Sequence, residues 1–444
     1  MTLTAKSRAA KENRAWAVLD YRRLWRASTI SMFGSEISEL AFPLLAIITL
    51  SADAAEVGVL RVAQFLPFLL ATLPLGVVVD RAARRPLMIG ADLGRFILVG
   101  SIPLLIWLGV RQIEVLYLLV LAAGTLTVLY QLADFAFLPS IVASDQLVDA
   151  NGKLSAAQSA NEIAGKGVGG VIVGAFTAPL AVLMDAVTYL VSAVSLARIT
   201  VAERIAPEPG PRPSAFREAM EGLGIALGNR FIRPLLGEAT TFNFLNEIFI
   251  LGLLIYAVRD LGLGPAMIGI IFVAGGIGSF LGAWFGTRFT ARFGYGRVLL
   301  VTLLVGNTAP AAVILLNGDP SVGLGILVAV FCVMGVGIGI ANMHAVSLRQ
   351  TAVTEQLRGR VNAGYRLISW GALPIGAAVG GVLASALGAQ QAMVIGGLGM
   401  PLATLWVSFS SIPGLRSIAD AAANDPEGEP RPRPSGASID VDAH

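Results

Sequence analysis

Hydrophobic runs of about 20 residues, the length that crosses roughly 30 Å of hydrocarbon as a helix, recur along almost the whole chain. Twelve can be drawn, near 27–49, 57–79, 87–108, 115–138, 154–176, 179–197, 235–257, 267–287, 297–316, 321–343, 363–386 and 391–411. Each predicts a helix, because lipid offers the backbone N–H and C=O groups no partners but their own. The longest polar stretch between runs, 198–233, holds "APEPGPRP" and then "SAFREAMEGLGIALGNR", a proline-rich linker followed by a short amphipathic helix for the membrane surface. It divides the runs six and six. The expected organisation is an N-terminal tail at 1–26, a six-helix bundle at 27–197, the linker at 198–233, a second bundle at 234–411 and a disordered tail at 412–444, rich in Pro, Asp, Glu, Gly and Ala. The fold class is an all-α membrane protein, with twelve transmembrane helices in two pseudo-symmetric bundles.

The halves resemble each other at an offset of about 211 residues: "SEI" at 35–37 against "NEI" at 246–248, Asn151 against Asn362, and "VGGV" at 168–171 against "VGGV" at 379–382. Parallel six-helix repeats of this kind build transporters whose substrate site lies near the midplane between them.

Composition agrees. Of 444 residues 55% are hydrophobic and 14% charged, against about 25% charged in soluble domains, and mean hydropathy is +0.74. The N-terminal tail has no short apolar core with a small-residue cleavage site, so no cleavable signal peptide is expected. Arginines and lysines set the orientation. A cytoplasmic N-terminus puts the tail to Arg26 and the loops holding Arg81, Arg84 and Arg85, Lys153, Arg198 to Arg233, Arg288 to Arg297 and Arg349 to Arg360 on the inside, with Arg111 and Arg259 in outer loops and Arg61 and Lys166 among the basic residues within spans. Both termini are then cytoplasmic, and the pI near 9.2 reflects topology and anionic lipid, with no sign of nucleic acid. One cysteine, Cys332, and two histidines, His344 and His444, offer neither a disulfide framework nor a metal cluster. Neither a cofactor nor a metal is expected.

"GVVVDRAARRP", Gly76 to Pro86, carries a family resemblance. It is similar to the G-x-x-x-D-R-x-x-R-R signature of the major facilitator superfamily, and the likeness runs to about Ser411. The resemblance implies a cytoplasmic latch against the eleventh helix made by Asp80, Arg81, Arg84 and Arg85, with Gly76 allowing two helices to approach closely. A plain positive-inside loop would explain the arginines but not the glycine and aspartate. "ADLGR" at 91–95, "FLPSIV" at 137–142, "LRGRVNAGYR" and "PIGAAVGG" resemble one branch, the proton-linked drug exporters similar to macrolide-efflux and enterobactin-exporter proteins. Among its departures from the better-understood members, the fourth span lacks an arginine, and Lys166 replaces the proline of a "GPxxGG" motif in the fifth.

An ionisable side chain deep in a bilayer costs roughly 2.5–3.5 kcal/mol to insert, so each is a candidate for function. Glu36 and Glu39 share one face of the first span, and Glu247 is the repeat equivalent of Glu36 in the seventh. The resemblance places these spans around a central cavity, with Glu36 and Glu247 facing each other; a bland alternative pairs one or both with a nearby cation or an amide such as Asn246. Asp134 in the fourth span is a coupling or substrate candidate, or else a helix-end cap. Asp185 reads as structural, Arg61 as snorkelling to the outer surface, and His344 as a satisfied interfacial histidine or a residue of the inner mouth. Lys166 lies one turn after Glu162, in the favourable order for an ion pair. It is expected to keep Glu162 ionised at the interface between bundles; the alternative is that it reaches a glutamate of the first span.

The reading these features support is a secondary active exporter of an amphiphilic small molecule (drug, siderophore or metabolite) by alternating access, coupled to protons and acting as a monomer in the cytoplasmic membrane. The alternative is a proton-coupled symporter or facilitator importing a small nutrient. An enzyme is not expected: the chain has no G-x-x-x-x-G-K-[ST] loop, no H-E-x-x-H and no large soluble domain.

Overall fold

The computed structural model describes residues 15–201, 203, 215–354 and 357–422. Of the tails expected at 1–26 and 412–444, residues 1–14 and 423–444 lie outside the described residues, as does most of the proline-rich linker. The first half contains α1 (Leu19–Thr49), α2 (Ala54–Leu70), α3 (Thr72–Arg81), α4 (Arg84–Trp107), α5 (Ile113–Ile141), α6 (Leu147–Ala175) and α7 (Ala178–Ala197). A connecting helix α8 (Ala215–Gly228) leads to α9 (Ile232–Arg259), α10 (Pro265–Phe293), α11 (Tyr295–Leu315), α12 (Pro320–Thr351), α13 (Arg358–Leu387) and α14 (Ala389–Ser408).

Ten of these helices are long and apolar enough to cross a membrane, and α2 with α3 forms an eleventh span bent by 49°. Prolines cause that bend. Pro67 precedes it, and Pro74 leaves the Leu70 carbonyl without an N–H to accept from, so the helix breaks between them. The segment expected as the fifth span, α6, is 29 residues long, roughly 44 Å, but it holds Asp149, Lys153, Glu162 and Lys166 and does not meet the apolarity that the other spans do. The expected twelve is reached only with α6 included.

The repeat is written into the packing. α6 lies on α1 where Gly165 faces the Glu36 side chain and Gly169 faces Ile37; at the same offset α13 lies on α9 where Gly376 faces Glu247 and Gly380 faces Ile248. The halves then meet at two glycine crossings. A Cβ on Gly58 of α2 would stand 2.7 Å from the Gly381 Cα of α13, and one on Gly170 of α6 would stand 2.6 Å from the Gly269 Cα of α10. Gly58 and Gly269 are repeat equivalents, as are Gly170 and Gly381. Only glycine permits such approaches.

Both crossings lie toward the end away from the chain termini. There one hydrophobic core serves both halves, joining Leu44, Leu45 and Ala181 to Leu253, Ile268, Phe331 and Ala384. At the terminal end the cores are separate, one around Tyr21, Ala133 and Phe137 and the other around Leu235, Leu299 and Leu348. The molecule is therefore closed at the far end and open at the terminal end. The connecting helix α8 does not float free: Arg360 at the start of α13 bonds Glu221 at 3.0 Å and approaches Glu218 at 3.6 Å.

Candidate functional site

The opening leads into a central cavity with two lobes of about 690 and 780 Å³, within the range of small-molecule sites. Ser155, Phe242, Ile338, Asn342 and Val346 line both. The lobe nearer the terminal end is walled by Asp134, Glu238, Arg349 and Arg366 among aromatic side chains, including Phe135, which is 82% exposed, and Trp370, over which Arg366 stacks at 4.1 Å. The deeper lobe holds Glu39, Arg61, Glu162, Lys166, Asn246 and Glu247.

At the floor of the deeper lobe five ionisable side chains converge. Arg61 of α2 and Glu247 of α9, each 3% exposed, form a bidentate pair across the two halves: Nη2 donates to Oε1 and Oε2 at 2.9 Å each, and Nε donates to Oε2 at 3.2 Å. Arg61 also donates to Gln64 at 3.2 Å and lies 4.6 Å from the Phe65 ring centre. No other ion pair between described residues joins the halves. Beside it, Lys166 Nζ stands 3.1 Å from Glu39 Oε1 and 3.6 Å from Glu36 Oε2. Glu36 Oε2 is buried and has no hydrogen bond. Three carboxylates thus share two cations, and one proton would balance the set.

Two expectations are corrected here. Lys166 pairs with Glu39 and Glu36 of α1, while Glu162 accepts from Gln158 at 3.2 Å. The i, i+4 spacing was available, but α1 passes Lys166 closely enough to offer two carboxylates in place of one. Arg61 does not snorkel; burial beside Glu247 turns it inward. Glu36 and Glu247 each take a different cation, and Asn246 lines the cavity without bonding to either.

Asp134 lines the upper lobe and accepts from Ser28 at 3.0 Å. His344 is buried, stacked on Tyr295 with ring centres 4.7 Å apart, and its Nε2 is 2.6 Å from Thr290 Oγ1. Sequence reasoning passed over two groups. Arg95 of α4, in an "ADLGR" noted only for its family likeness, is fully buried, paired with Asp92 and held between the rings of Tyr130 and Tyr189 at 4.5 and 4.2 Å. Its D-x-x-R spacing inside an apolar span was the available signal. Glu238 of α9 faces the upper lobe and accepts from Asn307 at 3.3 Å.

The signature loop is not latched onto α13. Arg84 bonds Glu203 at 3.2 Å and Arg85 bonds the Leu196 and Ala197 carbonyls at 3.0 and 2.6 Å, all within the first half. Asp80 is exposed, and a Cβ on Gly76 would meet nothing within 4 Å. The close approach expected at Gly76 is absent because this end is open.

Comparison with known proteins bears on both fold and family. The chain is 26% identical over 402 residues to the multidrug efflux pump Tap of Mycolicibacterium fortuitum, covering 87% of this chain and 93% of that one. It is 23% identical over 397 residues to macrolide efflux protein A of Streptococcus pyogenes, covering 85% and 93%. The crystal structure of a bacterial homologue of the iron transporter ferroportin in an inward-facing state superposes with a TM-score of 0.67 at 16% identity, over 88% of this chain and 98% of that one, and shares its fold. The transmembrane secretion effector model matches residues 15–432, and the chain belongs to that family of major facilitator transporters.

Proposed function

We propose that the protein exports an amphiphilic small molecule in exchange for protons, with the terminal end facing the cytoplasm, and that the cluster at the cavity floor is its coupling centre. The observation that carries this reading is the Arg61–Glu247 bridge: one ion pair ties the halves together beside a carboxylate, Glu36, left without a hydrogen bond. Taking one partner from a buried pair destabilises by about 3–5 kcal/mol. That exceeds the few kcal/mol that separate alternating-access states, so a single proton on Glu247 is enough to move the equilibrium. Lys166, held by Glu36 and Glu39, keeps the remaining charge compensated while Glu247 is neutral.

Export is favoured over import by the relatives named for efflux and by a cavity that sets Phe135, Phe242 and Trp370 beside carboxylates, suited to a molecule with an apolar body and a polar group. Arginines crowd the terminal end, which places that end in the cytoplasm and the protein in the cytoplasmic membrane. In the state closed at this end, Asp80 and the arginines after it reach α13 and fill the space beside Gly76.

The test is transport in everted vesicles of a panel of amphiphilic antibiotics, a macrolide among them, with and without a proton uncoupler. Wild type accumulates a panel member and loses it on uncoupling; Glu36→Gln and Glu247→Gln each abolish uphill accumulation while retaining binding. Full proton-driven accumulation by both variants removes the cluster from coupling, and accumulation insensitive to uncoupler removes the proton.

A further inference from the structure

The upper lobe of the cavity carries two arginines that the coupling centre does not use. Arg349 lies in the last turn of α12, and Arg366 lies two turns into α13, with Asn362 one turn before it and Trp370 one turn after. That i, i+4, i+8 spacing sets Asn362, Arg366 and Trp370 along one stripe of the helix, and all three line the lobe together with Arg349. Each guanidinium lies over a ring: Arg349 is 3.9 Å from the Tyr365 ring centre, and Arg366 is 4.1 Å from that of Trp370. The rings are themselves held, since the Tyr365 hydroxyl donates to the Leu235 carbonyl at 2.9 Å and Phe68 meets Trp370 edge-on at 5.3 Å. Among the described residues neither arginine forms an ion pair, and Arg349 Nε is buried without a hydrogen bond.

The preference for positive charge at a cytoplasmic end accounts for their presence but not for their posture. Arg358 and Arg360, at the start of the same helix, are satisfied: Arg358 donates to the Gln350 carbonyl at 2.9 Å and Arg360 to Glu221 at 3.0 Å. The carboxylates of the lobe are engaged elsewhere, Asp134 accepting from Ser28 at 3.0 Å and Glu238 from Asn307 at 3.3 Å. Stacking occupies the face of a guanidinium and leaves its N–H donors, which lie in the plane, to grip a planar oxyanion. The fold does not demand this pair, because Leu138 and Ser155 stand at the repeat positions of Arg349 and Arg366 and line the same lobe without charge. We propose that Arg349 and Arg366 form an anion subsite, and that the transported molecule is an amphiphile bearing a carboxylate, an inference that rests on the reading of this cavity as the substrate site. The carboxylate lies on the two guanidinium edges, and the apolar body lies against Phe135 of α5 and Phe242 of α9. A molecule seated in this way touches both halves.

Binding to the purified full chain in phosphatidylcholine nanodiscs tests the subsite without a gradient, so failure of proton-driven export would leave the result standing, and failure of the subsite would leave export of uncharged amphiphiles intact. The probes are fusidate and pyrenebutyrate, each compared with its methyl ester, which keeps the apolar body and removes the charge; empty discs correct for partitioning into lipid. Wild type is expected to bind at least one acid about tenfold or more tightly than its ester, the scale of hydrogen bonds to a charged group. Arg349→Gln and Arg366→Gln should each leave acid and ester within about threefold of each other, and Arg366→Lys, which keeps the charge but loses the planar fork, should fall between. Arg358→Gln removes the same charge outside the lobe and should keep the wild-type preference. If Arg349→Gln fails to fold through loss of its stacking on Tyr365, Arg366→Gln, on an exposed side chain, carries the test. Wild type that binds neither acid more tightly than its ester, an unchanged preference in Arg366→Gln, or a loss in Arg358→Gln equal to that in the lobe variants would each overturn the anion subsite.

Discussion

The two halves of this transporter share a skeleton and differ in what they bury. Gly165 and Gly169 seat α6 on α1 as Gly376 and Gly380 seat α13 on α9, and the crossings between halves use equivalent glycines. Charge does not follow the repeat. Arg61, Lys166 and Arg95 in the first half have Phe272, Ala377 and Gly306 as their equivalents, and only Glu36 finds a carboxylate, Glu247, at its matching place. The small residues fix where helices meet, which both halves need equally. In the cluster at the cavity floor both cations come from the first half, and the second supplies Glu247, which Arg61 holds.

The largest expected effect comes from breaking that capture. Arg61→Gln strands Glu247 in an apolar floor and should cost about 3–5 kcal/mol, because the carboxylate keeps its desolvation and loses its partner. Exchanging the two residues, Arg61→Glu with Glu247→Arg, should recover much of the melting temperature. Phe272→Leu, at the equivalent of Arg61, removes a ring that packs on Phe331 at 5.3 Å and lies 5.8 Å from Lys166, breaks no ion pair and should cost under about 1.5 kcal/mol. Equal losses at the two positions would mean that the pair does not set this asymmetry.

A smaller effect should treat the halves alike. Gly58→Ala and Gly170→Ala each push a methyl into the facing backbone, and overpacking of this kind costs about 1–3 kcal/mol. Spin labels across the far end should show a longer-distance population in both variants, to similar extents. If only one variant opens that end, the two crossings do not act as a symmetric gate.

Much of this was legible in the sequence. The hydrophobic runs lie within the observed helices or within a few residues of their ends, and the offset between halves named Glu36 and Glu247 as equivalents before any contact was known. The partner of Arg61 was not legible, and the pairing of Lys166 with the first span was legible only as the alternative to Glu162, because pairing between helices depends on how each is rotated about its axis, and an i, i+4 spacing describes one helix only. Arg95 was hidden by its surroundings: an apolar span masks a D-x-x-R pair unless the two are considered together. Asp80 shows another limit. A sequence specifies every state of a transporter at once, and the structure holds one in which Asp80 is exposed and its loop bonds only within the first half.

The smallest expected effect concerns how the matching spans begin. α2 starts with a capping box in which Asp53 N donates to Glu56 at 2.7 Å and Glu56 N donates to Asp53 at 2.8 Å. The repeat equivalent of Asp53 is Gly264, which has no side chain to cap α10 although its φ of −67° and ψ of 156° suit a capping residue. A Cβ there would meet nothing within 4 Å. Asp53→Ala should therefore cost about 1 kcal/mol. Gly264→Asp should stabilise by less than that, since Pro265 already removes one of the N–H groups a cap would serve, with part of the benefit coming from lost freedom in the unfolded chain. Melting in detergent reads both changes, and amide exchange locates them. Slower exchange confined to Ala266, Met267 and Ile268 in the Gly264→Asp variant would show that the halves differ at this point by a missing cap; unchanged exchange there with a raised melting temperature would assign the whole benefit to the unfolded chain.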